Sequence, residues 1–597
     1  MKASRQVLKA IDKIPEHLVQ FTTRQNPDLY TPIDHSSWRF IMKLSADFFS
    51  NHAHPIYLDG LKATGISVER IPLVEEMDKA LRKFGWRAVN VSGFIPPAAF
   101  LEFLALGILP IACEMRKVEN INYTPAPDIV HEAAGHAPIL ADKEYADYVK
   151  SYGHIASKAI FSKKDLNLFE AIRVLSDIKE KPSSTQDQIE KAQKAFEEAY
   201  AKLDYISEAT QLARMSWWTI EYGLIGDLNK PLIYGAGLLS SMGESYHCFD
   251  DNVKKVPLSD DCVFQSYDIT KPQPQLFVSP NIASMKKVLS DFSKNMAFKK
   301  GGTYALGKAK HAQSVTTTVF ETGLQVTGVL KNFSADAKEQ LLFLNWKGPL
   351  QFSLNDNEIK DWETAKLPNE ILSPMGTPSA FTINGKSGKN WDKIKWSSIK
   401  GQSIDLRYKN GFKLQAKIGN SFALKGKTLF IEIQNAEIFD PFTSKSQKSE
   451  KQILILAKKI KSVFGGAADR AKYLKASGEK HYQSNSHIAN YDKSAIADLC
   501  EAYTQLREFR AQGRASTATL DKIVKLLDEK YPKEWLLRWE LLEIDQNFKL
   551  ACPWKQKLLS QLEKISNDDS QAAEAISRGL KFLRKHESHL KAQAAHV

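Results

Sequence analysis

"PDIVHEAAGHAPIL", residues 127 to 140, sets two histidines, His131 and His136, around a carboxylate, Glu132, in an otherwise apolar run. An α-helix advances about 100° per residue, so positions five apart lie about 140° from one another. Two imidazoles placed so on a straight α-helix cannot share one metal ion. They can share it from a π-type bulge, or where the helix ends. Gly135 loosens the backbone and Pro138 removes an N–H just beyond, so a distorted helix end is expected at the second histidine. The same spacing argues against the zinc-protease pattern, whose histidines stand four apart on one helix face. Taken alone, the pair reads more readily as two satisfied core histidines.

A third residue changes the balance. "ARMSWWTIEYGLIGD" (213–227) places Glu221 in an apolar helix between Ile220 and Tyr222. A buried carboxylate without a partner costs several kcal/mol, so it must be paired, for instance with an arginine, or bound to a metal. Two histidines and one carboxylate form the facial set that leaves three positions open on Fe(II).

Here the chain resembles a family. "NYTPAPDIVHEAAGH" (122–136), "WWTIEYGL" (217–224) and "YGAGLLSSMGES" (234–245), with "YTPIDHSSWR" (30–39) upstream, are similar to the signature blocks of the tetrahydropterin-dependent aromatic amino acid hydroxylases, and most like bacterial phenylalanine hydroxylases. The blocks keep their order over about residues 10 to 300.

The resemblance implies that His131, His136 and Glu221 hold Fe(II). It implies that Arg116 grips the substrate carboxylate, that Asp128 orients Arg116, that Thr124 and Ser240 lie near the substrate's polar end, and that Trp217 walls the aromatic pocket. Plainer roles stay open beside these: a helix N-cap for Asp128, turn or cap hydroxyls for Thr124 and Ser240, core packing for Trp217. On the pterin side, "SGFIPPAAF" (92–100) matches the family's pterin loop. Gly93, Phe94 and Ile95 would contact the pterin, Phe100 would stack on it, and Glu132 would hydrogen-bond it or a nearby water. Tyr234, Ser241 and Glu244 would be supporting groups. The implied cofactors are Fe(II) and tetrahydrobiopterin or a related tetrahydropterin, with O2 as co-substrate. The implied reaction is ring hydroxylation of an aromatic amino acid, phenylalanine to tyrosine, with tryptophan or tyrosine as alternative substrates. Two departures bear on the pocket: Ser216 stands where the family has tyrosine, and Ala133 and Ala134 are small.

The rest of the chain divides by period. Residues 1–305 are expected to form a mainly α-helical catalytic domain of the hydroxylase type. About 158–206 is a charged helical hairpin inserted into it, broken at Lys181-Pro182-Ser183-Ser184, with Ser184 or Thr185 capping the second helix. Residues 306–442 read as a small all-β domain. Ile404, Leu406 and Tyr408 alternate up to Asn410-Gly411, and Phe412, Leu414, Ala416 and Ile418 alternate away, which predicts a hairpin with a type I′ turn. Residues 443–597 read as an α-helical C-terminal domain. Its entry, 444–462, is expected to be a linker running into an amphipathic helix. A helix bearing Leu499, Ala502, Leu506 and Phe509 should stop near Gly513, and helices should follow at 520–528 and 534–543, the second with Pro532 in its first turn.

The bulk numbers limit the rest. No apolar run approaches 18 residues, so no membrane span and no membrane partner are expected. The start does not read as a signal peptide. Five scattered cysteines, none in a CxxC pair, fit free thiols in a reducing cytoplasm. The net charge of +13 raises a nucleic-acid role, but the lysines are spread out, and a solvated basic surface is expected instead. The partner expected is a small aromatic amino acid, with oligomeric state left open. Two other function classes compete: a zinc hydrolase with Glu132 as base, and an interaction protein with a vestigial hydroxylase half.

Overall fold

The structure, a computed structural model, describes residues 14–122, 127–180, 184–269, 271–477 and 491–595. Thr124 lies outside the described residues.

"YTPID" starts the first long helix, α1 (Pro32–His52). Thr31 and Asp34 cap each other's backbone N–H groups in a capping box, and Pro32 takes the first position, where a missing N–H costs nothing. Ile33, Phe40, Ile41, Leu44 and Phe49 are buried along it. Two parallel strands, β1 (Arg87–Val91) and β2 (Ile108–Ala112), are joined by the loop 92–96 and helix α2 (Pro97–Ala105). Residues 130–136 form a π-helix, followed by a 3-10 turn and α3 (Lys143–Ala156). The inserted hairpin is α4 (Lys163–Glu180) and α5 (Gln186–Ala201), and Thr185 caps α5 through a capping box with Gln188. Helix α6 (Glu208–Ser216) runs into a second π-helix, Trp217–Glu221. Beyond it, β3 (Leu224–Asp227), β4 (Lys230–Ile233), β5 (Lys254–Pro257) and β6 (Gln275–Ser279) form a sheet in the order β4-β3-β6-β5.

Residues 315–465 build two six-stranded sheets. In the first, Val315–Phe320 pairs with Leu324–Ala335 and, on its other side, with Ile460–Gly465. The second carries the predicted hairpin, Ser403–Arg407 against Lys413–Leu424. Its turn differs from expectation. Gly411 takes the left-handed conformation (φ 89°) while Asn410 does not, and the Gly411 N–H donates to the Tyr408 carbonyl, so a three-residue loop with a glycine bulge replaces the type I′ turn.

The segment 444–462 is not a linker into a helix. Lys445–Ile455 is an edge strand of the second sheet, and Ile460–Gly465 closes the first. Ile453, Leu454 and Ile455 are all buried, which one face of a surface helix could not achieve, and the lysines before them sit on the exposed part of an edge, where charge discourages further pairing.

Among the described residues, a short helix at Arg470–Ser477 is followed by five more: α7 (Ala497–Gln512), α8 (Thr517–Lys530), α9 (Leu536–Phe548), α10 (Lys555–Asp568) and α11 (Ser570–Ala595). Gly513 ends α7 in the left-handed conformation, as expected. Pro532 precedes α9 instead of entering its first turn, because the Glu534 carboxylate accepts the Leu537 N–H and starts the helix later. Helices α7 to α11 share one continuous apolar core with residues 30–296. Phe40 of α1 meets Trp535 and Trp539 edge-on, with ring centroids at 5.2 and 4.7 Å. Among the described residues, no helix is long and apolar enough to cross a membrane.

Candidate metal centre and its surroundings

The π-helix answers the five-residue spacing. Its ladder runs i to i+5, so His131 and His136 come one turn apart on one face. Glu221 reaches them from the end of the second π-helix. The two imidazole Nε2 atoms are 3.2 Å apart, and each lies 3.3 Å from an oxygen of Glu221. Among the described residues, this is the group of histidine and acidic side chains whose donor atoms converge tightly enough for one ion. A cation about 2.1 Å from each donor would space them by about 3.0 Å at right angles and about 3.4 Å at tetrahedral angles, and the observed edges fall between. Two imidazole lone pairs at this distance repel unless a proton or a cation lies between them.

The tautomer of His131 is held by its neighbours. The Ser240 hydroxyl donates to the Ala236 carbonyl at 2.8 Å, so it accepts from His131 Nδ1 at 3.0 Å and leaves the Nε2 lone pair facing His136 and Glu221. Gly135 makes this meeting possible. A Cβ there would sit 2.6 Å from the Ala236 carbonyl oxygen, so any larger residue would push the His131 helix off the helix that carries Ser240.

Electrostatics follow burial and partners. Burial works to raise the Glu221 carboxyl, but the charges and hydrogen bonds of His136 and His131 outweigh it and hold the group well below the usual carboxylate range. Glu132 is the opposite case. Burial, opposed by His136 and reinforced by Glu221, pushes it up to about 8. Its Oε2 accepts no hydrogen bond and lies 3.9 Å from His136 Nε2.

Arg116 is buried against Asp128. Nε and Nη2 each donate to one carboxylate oxygen at 2.8 Å, and Nη1 donates to the Ser240 carbonyl at 2.9 Å. A guanidinium has five N–H groups, so one on each terminal nitrogen is left over. Asp128 also accepts the His131 N–H at 3.0 Å, so the helix-capping role and the arginine-orienting role coincide in one side chain. Burial would raise its pKa, but Arg116 lowers it more.

Trp217 stacks on Tyr267 (centroids 4.2 Å apart, 6° between planes) and on Tyr222 (4.4 Å, 22°). Gly93, Phe94 and Ile95 sit on the loop between β1 and α2, with Gly93 at φ 61°, and Phe100 is half-buried on α2. Sequence reasoning missed the group that anchors this loop. Glu114 accepts the Ser92 hydroxyl at 2.5 Å and the Gly93 N–H at 3.2 Å, while its carbonyl accepts the Ile129 N–H just before the π-helix. Burial raises its pKa. The signal was available: a lone carboxylate in "GILPIACEM" must have a buried partner. Tyr222 and Tyr267 were also missed, and no local pattern marks them.

The family model described as biopterin-dependent aromatic amino acid hydroxylase matches residues 12–165 and 201–340, passing over most of the α4–α5 hairpin. The chain is 29% identical over 231 residues to the phenylalanine-4-hydroxylase of Chromobacterium violaceum, covering 38% of this chain and 63% of that one. It is 28% identical over 269 residues to that of Pseudomonas aeruginosa, covering 44% of this chain and 86% of that one. The chain thus spans less than two thirds of the length of the Chromobacterium protein, and 60% of a further relative from Ralstonia nicotianae. Among solved structures, the Chromobacterium violaceum enzyme with iron(III) and 7,8-dihydrobiopterin is 23% identical with a TM-score of 0.37, covering 49% of this chain and 90% of that one.

Proposed function

We propose, from the premise that residues 12–165 and 201–340 belong to the family of biopterin-dependent aromatic amino acid hydroxylases, that this chain hydroxylates the ring of an aromatic amino acid, converting L-phenylalanine to L-tyrosine. The relatives named phenylalanine-4-hydroxylase support that choice of substrate. The observation that carries the reading is the convergence of His131, His136 and Glu221, with the His131 lone pair turned inward by Ser240.

The residues fit the cofactors. Three donor atoms on one side of a common point suit Fe(II), and the partnerless Glu132 Oε2 beside them suits a polar group such as a pterin N–H or a water. When bound, iron and tetrahydropterin supply the electrons that activate O2. The protein's own groups position and exclude. Arg116, held rigid by Asp128 and the Ser240 carbonyl, offers its two remaining N–H groups to the amino acid carboxylate as a bidentate fork. Trp217, fixed by Tyr222 and Tyr267, presents an apolar wall to the aromatic ring. Gly93, Phe94, Ile95 and Phe100 form the pterin side, and the Glu114 bonds keep that loop in one conformation. Held orientation and a dry pocket are the contributions such a scaffold makes to rate. Residues 1–305 carry this chemistry, and residues beyond them support it.

Purified protein with Fe(II), a tetrahydropterin, O2 and phenylalanine should yield tyrosine. Absence of product from phenylalanine, tyrosine and tryptophan alike would refute the reading. His131→Ala should lose both bound iron, by metal analysis, and turnover.

A further inference from the structure

The family match ends at residue 340, yet the amino-acid side of the site touches residues beyond 490. Two loops carry the groups described there: the stretch after Arg116, and the stretch after Ser240. Both are bonded to the C-terminal helices. Arg578 of α11 donates to the Met242 carbonyl, and its guanidinium lies 4.2 Å from the centroid of the Tyr246 ring. Glu574, one turn earlier on α11, pairs with Arg578 and fixes its direction. The Gln571 carbonyl, also on α11, accepts from Asn122 Nδ2 at 3.0 Å. The Asn122 carbonyl in turn accepts the Gly243 N–H and the Ser241 hydroxyl, each at 3.1 Å. The Val118 N–H donates to the Tyr491 hydroxyl at 3.3 Å.

These bonds make one connected chain. It runs from α11 through Asn122 to residues 241–243, next to the Ser240 carbonyl that holds Arg116 and the Ser240 hydroxyl that holds His131. Apolar packing alone would have anchored α11 to α1. Here polar bonds run both ways between the C-terminal region and the two loops: Arg578 donates to the Met242 carbonyl, and Asn122 and the Val118 N–H donate to the Gln571 carbonyl and the Tyr491 hydroxyl. A loop tied only at its ends opens at little cost, and each added bond to a rigid helix raises that cost.

We infer that α11 is part of the amino-acid site: Arg578 and the Gln571 carbonyl are positioning groups that hold the Arg116 and Ser240 loops together and so set affinity for the amino acid substrate. The inference rests on the proposed function for the identity of that ligand.

The test uses full-length protein. Calorimetric titration with L-phenylalanine gives its Kd, and metal analysis, tetrahydropterin KM and turnover are read on the same samples. Arg578→Ala should weaken phenylalanine binding and raise its KM about tenfold, the loss of one charge-assisted hydrogen bond. Iron content and pterin KM should stay at wild-type values and kcat within about twofold. Arg578→Lys, which keeps a cationic donor, should recover most of the affinity. Asn122→Ala should give the same split, and it replaces Arg578→Ala should that variant not fold. Unchanged phenylalanine affinity in a folded variant overturns the inference, as does loss of iron, pterin and phenylalanine binding in step. Wild-type protein that binds phenylalanine but forms no tyrosine defeats the hydroxylase reading and leaves this one standing on its titrations. Wild-type protein that binds none of the three aromatic amino acids overturns both.

Discussion

Arg116 meets Asp128 through Nε and Nη2 at 2.8 Å each, and Arg39 meets Glu543 through Nη1 and Nη2 at 2.5 and 2.8 Å. All four side chains are buried. The first pair spans 12 residues of chain and the second 504. Arg39 spends all its bonds on carboxylates: its Nε donates to Glu69 at 2.5 Å, and Lys43 and Arg510 crowd the same Glu543 carboxylate, with Glu540 beside them. Three cations thus face three carboxylates between α1 and the C-terminal helices. Arg116 meets a single carboxylate, and its third bond ends on a backbone carbonyl next to the candidate metal centre. The same pairing closes a joint in one place and, under the proposed function, leaves an arginine open to a further carboxylate in the other. What separates them is how many carboxylates the surroundings already supply: Glu69, Glu540 and Glu543 face Arg39, and among the described residues Asp128 alone faces Arg116.

That contrast can be broken most severely at the joint. Glu543→Ala leaves Arg39 and Lys43 without their shared partner and should cost about 3–5 kcal/mol of stability, measured by denaturant unfolding. Acid should do the same work reversibly. Burial raises the Glu543 carboxyl, but Arg39, Lys43 and Arg510 bring it down to about 2 from an ordinary 4.5. A depressed native pKa stabilises above the unfolded value, so this contribution is complete above about pH 4.5 and is lost as pH falls toward 2. Glu543→Ala should show a smaller loss across that window, and an equal loss in both proteins would place the acid sensitivity elsewhere.

At the fork, Asp128→Asn should cost less stability than Glu543→Ala but weaken phenylalanine binding by about tenfold to a hundredfold, because Arg116 loses its orienting charge. Retained phenylalanine affinity would remove Asp128 from that role. Replacing both joint partners, Arg39→Met with Glu543→Leu, should return stability to within about 1–2 kcal/mol of wild type or exceed it, since Lys43 and Arg510 still balance Glu69 and Glu540. The smallest effect belongs to neither pair. Thr185→Ala removes the cap of α5 and should cost about 1 kcal/mol of hairpin stability, with phenylalanine turnover unchanged.

Sequence alone settled what depends on neighbours a few positions away. Five-residue spacing with Gly135 and Pro138 demanded a departure from α-helix at His136, and the chain supplies a π-helix. A cap at Ser184 or Thr185 was legible, as were a hairpin turn at Asn410-Gly411 and a helix stop at Gly513, and the three candidate ligands stood out by residue type and motif. Tertiary structure decided the rest. That Ser240 turns the His131 ring, that Glu114 anchors the Gly93 loop, that 444–462 becomes strand, and that α11 reaches the Arg116 and Ser240 loops all depend on partners that local periodicity does not encode. A side chain's propensity and spacing act over one or two turns of backbone. Which buried hydrogen bond it completes is chosen only when segments tens to hundreds of residues apart are pressed together and every polar group removed from water must find a partner.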